Sequence, residues 1–446
     1  MTFQLTVLAA LCATALSAHA ELLPQRAGDL TPAALAPATA AMAARGPSVS
    51  HDPVSFSWRS GAEIAAPQPF VAVSREAYFT VTGAELAQGV ALPVTAPRAL
   101  VRLQPIGEAS IRENEAIHPS ALIIVDATGR ERAAGEGMEM LVSADRLARA
   151  DIPFASGTSA FRLSADVGSG PLRMRAQGLS AQQRYLVNVV EPDSPLALTM
   201  QAAAPAYLQG QPITVFAQLA NQGSATPARI DATLMSPAGR GYPLVFKPGA
   251  DGRMAAVVTP AAADAATPGL WEVQANVKAT VQGRPALRSA RFAVPVALPT
   301  AKLTRAADLA GDGAALTVKL GVEAASAGRY EVRGVLYGTV QGQLQPLGVG
   351  NAAQWLEPGQ ASIGLPFDAA LLAASKGPYE LRDLQLLDQG RLAVLQRQQL
   401  ALTMDESEVA KLVPQRSAVP LPSSARVKKT VDAAGSDPAA PTQAFR

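Results

Sequence analysis

Cysteine is nearly missing from this 446-residue chain, with Cys12 the only one. It lies inside an apolar opening stretch. A chain that loses that stretch has no disulfide, no thiol nucleophile and no thiolate metal site. Histidine is almost as scarce: His19, His51 and His118 are the whole set. Neither a His-Glu-x-x-His nor a Gly-x-Ser-x-Gly motif occurs, and a histidine-based triad or zinc centre needs more partners than these three give. Aromatic residues supply only 5% of the chain. Charge of one sign is also lacking. The 38 Lys and Arg nearly balance the 36 Asp and Glu, leaving +2, which offers no basic field for nucleic acid. Beyond the opening stretch, no apolar run approaches the ~20 residues of a membrane span.

The opening residues, MTFQLTVLAALCATALSAHA, read as a secretory signal. An apolar core from Phe3 to Leu16 precedes the small-x-small pattern Ala18-His19-Ala20, which predicts a cut after Ala20 and a secreted or periplasmic chain. Leu11 stands where a lipidated Cys12 would need a small residue. Residues 21–50 are rich in Ala and Pro, show no periodicity and read as a disordered leader.

Past the leader the chain is built of short alternating apolar runs, and 35 Gly and 35 Pro punctuate the sequence. This pattern predicts strands and turns, although the abundant Ala favours helix intrinsically. The fold class is mainly β: tandem immunoglobulin-like β-sandwich domains, the first mixed with one short helix. Residues 51–195 form an N-terminal sandwich opened by the PVSFSW strand. Ser143 caps its helix at Ala144 to Ala150. Seven short strands in 196–299 fit one immunoglobulin-like sandwich, and 300–403 a second. Residues 404–446 read as a disordered tail that begins with a short helix at Glu406 to Leu412. Trp58, Trp271 and Trp355 sit in alternating or apolar contexts and are assigned to cores.

Three segments together carry a family resemblance: SREAYFTVTGAELAQGVALPVTAPRALVRLQP, RYLVNVVEPDSPLALTM and GPYELRDLQLLD. The chain resembles the exported bacterial family catalogued as domain of unknown function 4785, from about His51 to Leu402. The resemblance implies a mixed amino-terminal β-sandwich followed by immunoglobulin-like domains, and no activity. Where that pattern would carry a glycine after Pro97, this chain has Arg98.

Candidate chemistry is sparse. Arg98 and Arg102 would share a face if both lay in one strand, ready to grip a carboxylate or sulfated sugar. Glu113 and Glu115, two apart in a strand, would pair as catalytic carboxylates. His118, before Pro119, sits in an extended loop. Tyr330, Tyr337 and Tyr379 would make a carbohydrate platform if their rings were exposed in a row. Asp308 and Asp312 offer oxygens to calcium. Their segment lacks the alternating ligands and closing Glu of an EF-hand, however, and reads as a hairpin turn. No metal and no cofactor is assigned. The sequence therefore points to an exported, non-catalytic binding, adhesion or scaffolding protein. Its expected partner is an envelope or extracellular protein or polysaccharide. The alternative is a secreted hydrolase, or the accessory domains of one, with any active site in the N-terminal domain.

Overall fold

The computed structural model describes residues 16–38, 50–60, 67–150, 153–249, 251–267, 269–373 and 375–414. Most of the expected signal, part of the leader and most of the tail lie outside these residues.

Alternation builds the strands, and their buried faces gather into three large cores. In the N-terminal core, Val101, Leu103, Tyr185, Val187 and Phe161 from one sheet face Leu92, Leu172, Met174 and Ile124 from another. Three short helices accompany it. Ala144–Arg149 is the expected one, with Ser143 at its N-cap. Ala109–Asn114 and Gly83–Gln88 are additional. The last of these occupies GAELAQ, directly after the strand Glu76–Thr82. Its start is fixed by a capping box in which Glu85 and Thr82 bond each other's backbone N–H. Trp271 is the buried centre of the middle core, as its alternating context predicts.

The middle and N-terminal sandwiches share one nine-stranded sheet. The strand Arg284–Val294 of the middle unit meets Glu76–Thr82 of the N-terminal unit through the pair Ser289 and Glu76. Just upstream, Val71–Ser74 pairs with Leu196–Ala202 in the other sheet of the middle unit. One extended stretch thus serves two sandwiches.

The leader and the PVSFSW strand lie elsewhere than expected. Val54–Arg59 does not open the N-terminal sandwich; it pairs antiparallel with Gln343–Leu356 at the edge of the C-terminal sheet. Leu22 is buried in the C-terminal core. Leu23 N–H donates to the Ala401 carbonyl, and Leu30 bridges Arg397. The described part of the leader is therefore a bonded strap, because the Leu22 side chain and the backbone groups of Leu23 and Leu30 find partners on the C-terminal sandwich. Leu16–Glu21 also pairs with that sandwich, along Ala306–Gly311 of the strand Ala301–Gly311. At the other end, Val409, Leu412 and Val413 are buried. The helix Glu406–Leu412 thus belongs to the C-terminal core rather than to a tail.

Three hairpins turn on Gln-Gly pairs: Gln222-Gly223, Gln282-Gly283 and Gln341-Gly342. Both residues of each have positive φ, the type I′ geometry that matches strand twist. A different device closes the Asp126 turn. Its carboxylate accepts from the Thr128 hydroxyl and N–H, from Arg130 N–H, and from Arg132 Nε at 2.9 Å. The Thr128 hydroxyl and the Arg132 guanidinium hold this carboxyl well below the usual carboxylate range. The group binds its proton less readily folded than unfolded, so its stabilisation is complete above the unfolded value of about 4 and is lost as pH falls below it. Asp126→Asn is expected to lower stability at pH 7 and to flatten the loss between about pH 4 and pH 2. Urea unfolding at a series of pH values checks this; an unchanged acid limb would contradict it.

Candidate functional site

The sequence-selected residues are held one by one, each by its own neighbours. Arg98 lies in a turn at φ 63°, before the strand Leu100–Pro105, and pairs with Glu139 at 3.0 Å. It therefore shares no strand with Arg102. This is also the position where the family pattern suggested glycine, which takes positive φ without steric cost. Arg102 donates from Nε to Asn188 Oδ1 at 2.7 Å and approaches Glu76 at 3.7 Å. Glu113 lies in the helix Ala109–Asn114 and Glu115 caps it, so the two are not strand neighbours. Glu115 accepts from Ser180 at 2.6 Å and from the Tyr185 hydroxyl at 3.4 Å. His118 caps the turn Pro119–Ala121 through Ser120. These contacts fasten turns and helix ends; they do not converge on one acceptor or cavity.

The tyrosine row is absent. Tyr330 and Tyr379 are fully buried and Tyr337 nearly so. Tyr330 donates to the Ser326 carbonyl at 2.8 Å, and burial pushes its pKa up to about 12. Tyr337 packs with Val335 and Val349 under Trp58. Trp58 itself is half-buried, and Trp355 stacks on His51 with ring centroids 3.8 Å apart. Of the three tryptophans only Trp271 is a core residue. Asp308 bonds His19 at 2.9 Å, and Asp312 accepts from Ala314 and Ala315 N–H at the hairpin corner. Among the described residues no three His, Cys, Asp or Glu side chains form a metal-holding group.

Two arrangements escaped the sequence reading. The first is a polar junction between the N-terminal and middle sandwiches. Arg288 and Glu191 are 1% and 0% exposed and pair at 2.7 Å. Arg288 also donates to the carbonyl of Leu196 and to the hydroxyls of Thr95 and Ser194. Glu191 accepts from the N–H groups of Thr95 and Ala96. Burial pushes the Arg288 pKa down, opposed by Glu191. Every strong donor and acceptor in this group is spent inside the protein, which makes it a clasp rather than a binding site. Beside it, Tyr78 donates to Glu76, and burial followed by that carboxylate pushes the phenol up to about 12. It remains a neutral phenol at physiological pH and is no base.

The second is a cleft of about 930 Å³ between the middle and C-terminal sandwiches, with the leader strap along one side. Its walls are mostly aliphatic, with Leu30, Leu270, Pro295, Val296, Leu392 and Val394 prominent, and Tyr207 contributes the one aromatic ring among the described lining residues. Arg391 and Arg397 bring polarity to the C-terminal wall. Leu392 is 92% exposed, and its φ is 51°. A domain-boundary cavity of this size, apolar with a few fixed polar groups, has the character of a ligand site. The sequence offers no signal for it, because its walls come from six separated segments.

The fold and this cleft define a tandem β-sandwich protein. Family models agree: the DUF4785 N-terminal domain matches residues 45–191 and the DUF4785 C-terminal domain matches residues 300–405. The chain belongs to this family of unknown function. It is similar to the crystal structure of a DUF4785 family protein from Legionella pneumophila, at 18% identity and TM-score 0.65, covering 87% of this chain and 99% of that one. A Salmonella alpha-2-macroglobulin reacted with methylamine aligns at 12% identity and TM-score 0.20, over 74% of this chain and 23% of its own. No curated protein matches the chain. Among the described residues no helix is long and apolar enough to cross a membrane.

Proposed function

We propose that this is an exported, non-catalytic binding protein whose ligand lies in the cleft between the middle and C-terminal sandwiches. The observation that carries the reading is Leu392. A leucine held at φ 51° while 92% exposed has poor backbone geometry and almost no burial in return. It sits at the rim of an apolar cleft, where an apolar ligand would cover it. Asparagine tolerates this backbone better. Leu392→Asn is therefore expected to raise stability by about 1 kcal/mol, read by urea unfolding, while weakening capture of apolar ligands. A loss of stability would mean that Leu392 packs for the fold's sake.

The aliphatic walls favour an apolar ligand over a polysaccharide, and the burial of Tyr330, Tyr337 and Tyr379 takes away the one ring platform considered. Export rests on the apolar start and on Ala18-His19-Ala20. Cutting after Ala20 would remove all of the strand Leu16–Glu21 except Glu21. Fractionation of a host carrying the tagged chain, with mass spectrometry of its terminus, tests this. A terminus at Glu21 is expected, and an intact Met1 held in the inner membrane would overturn export.

A further inference from the structure

The C-terminal wall of the cleft carries two arginines whose hydrogen bonding is incomplete. Arg391 and Arg397 line the cavity at the hairpin between Lys376–Asp388 and Ala393–Met404 and just beyond it. A guanidinium has five N–H donors and no acceptor. Arg391 spends Nη1 on Asp388 at 2.6 Å, and Arg397 spends Nη2 on Asp383 at 3.1 Å. The Nε of each is closed off without a partner. The remaining Nη of each, Nη2 of Arg391 and Nη1 of Arg397, bonds no described residue. The Arg397 side chain is only 10% exposed. The two Nη groups are the donors still open to a ligand, and an acceptor placed against them would complete their hydrogen bonding.

Charge decides what that acceptor is. Each arginine already faces its own aspartate, and Asp388 is fully buried. A third carboxylate, Asp29, also lines the cleft, with its oxygens taking the N–H groups of Arg26 and Gln399. Two cations therefore meet three anions. An anionic head group entering here would lose its hydration without meeting an unpaired positive charge, and a cationic one would face the two guanidinium groups, since Asp383 and Asp388 are not among the described lining residues. A neutral carbonyl oxygen would take the spare N–H donors at far lower cost. The walls around it are aliphatic rather than aromatic, which suits a hydrocarbon chain better than a sugar or a planar ring.

We propose that the cleft binds an acyl chain joined to its carrier through a neutral ester or amide, with the carbonyl oxygen accepting from Arg391 and Arg397 and the chain lying between the two sandwiches. This rests on the cleft being the binding site. The same chemistry is presented by an acyl lipid and by an acylated protein. Methyl octanoate represents the ester and N-methyl octanamide the amide.

The test is titration of the full chain with these two probes, with octanoate and with octyltrimethylammonium, followed by ligand-observed NMR. The ester and amide are expected to bind at least tenfold more tightly than either ion. Arg391→Lys keeps a cation beside Asp388 but removes the planar fork, and is expected to narrow that preference several-fold. Leu392→Asn, on the exposed rim, is expected to weaken all apolar probes without loss of fold. Tighter binding of octanoate would overturn the neutral head group. Equal binding of all four probes would overturn the arginine reading and leave the cleft standing. Failure of every probe to bind, with the fold intact, would overturn both.

Discussion

Arg288→Ala is expected to destabilise the joined N-terminal and middle sandwiches by about 3–5 kcal/mol, a large share of a typical domain's stability. The size reflects the groups left behind. Glu191 is 0% exposed and would lose its guanidinium partner with no water to replace it. Thr95 and Ser194 would lose the guanidinium that now bonds both hydroxyls. By contrast Lys302 and Glu323, paired at 2.9 Å in the open, should contribute under about 1 kcal/mol.

The network also spans three segments: the turn at Thr95, the linker Glu191–Ser194 and the middle-domain strand Arg284–Val294. Urea unfolding should show the two sandwiches melting together in the natural chain and in two steps in Arg288→Ala. Replacing both partners, Arg288→Met with Glu191→Leu, is expected to recover only part of the loss. The N–H groups of Thr95 and Ala96, now 2.6 and 2.7 Å from Glu191, would then have no acceptor. A single-variant loss below about 1 kcal/mol, or one unchanged transition, would show that the clasp is not what joins them.

Local pattern reported strands well and neighbours poorly. Val54, Phe56 and Trp58 alternate as a strand should, and they form one. Which sheet they join depends on Gln343–Leu356, far along the chain, and no local period encodes that choice. A clue does exist in the receiving strand. Gly348 would place a Cβ 2.6 Å from the Trp58 carbonyl oxygen, so its glycine is the space through which Val54–Arg59 approaches. The tyrosines fail for a nearer reason. Tyr330 and Tyr337 lie an odd number of residues apart in the strand Gly328–Val340, a separation that regular alternation places on opposite faces. The bulge between Leu336 and Tyr337 alters the facing but does not expose either ring. Glu191 and Arg288 were invisible because an acidic residue before proline and an arginine in an alternating strand look the same whether solvated or sealed. The cleft was invisible because it exists only once two sandwiches and a strap are assembled.

A fragment of residues 300–414, close to the span of the C-terminal family match, is expected not to fold cooperatively by itself. It lacks Leu22, which is 4% exposed in the C-terminal core, and burial of one leucine is worth about 1.5–3 kcal/mol. It also lacks Val54–Arg59, so Gln343–Leu356 becomes a bare edge and Trp58 no longer covers Val335, Tyr337 and Val349. Arg329 loses the carbonyls of Ser50 and Asp52, and Gln398 loses that of Leu23. Together these losses approach the whole stability of a domain this size, about 5–15 kcal/mol. Near-ultraviolet circular dichroism and urea titration should find a loosely packed or aggregating fragment. Joining residues 16–60 to it by a flexible linker should restore a single sharp transition, because those residues supply both the missing edge strand and the missing core leucine. A fragment of 300–414 as stable as the joined form would mean that the strap only decorates a finished sandwich. The C-terminal wall of the cleft would then stand without the leader that runs along it.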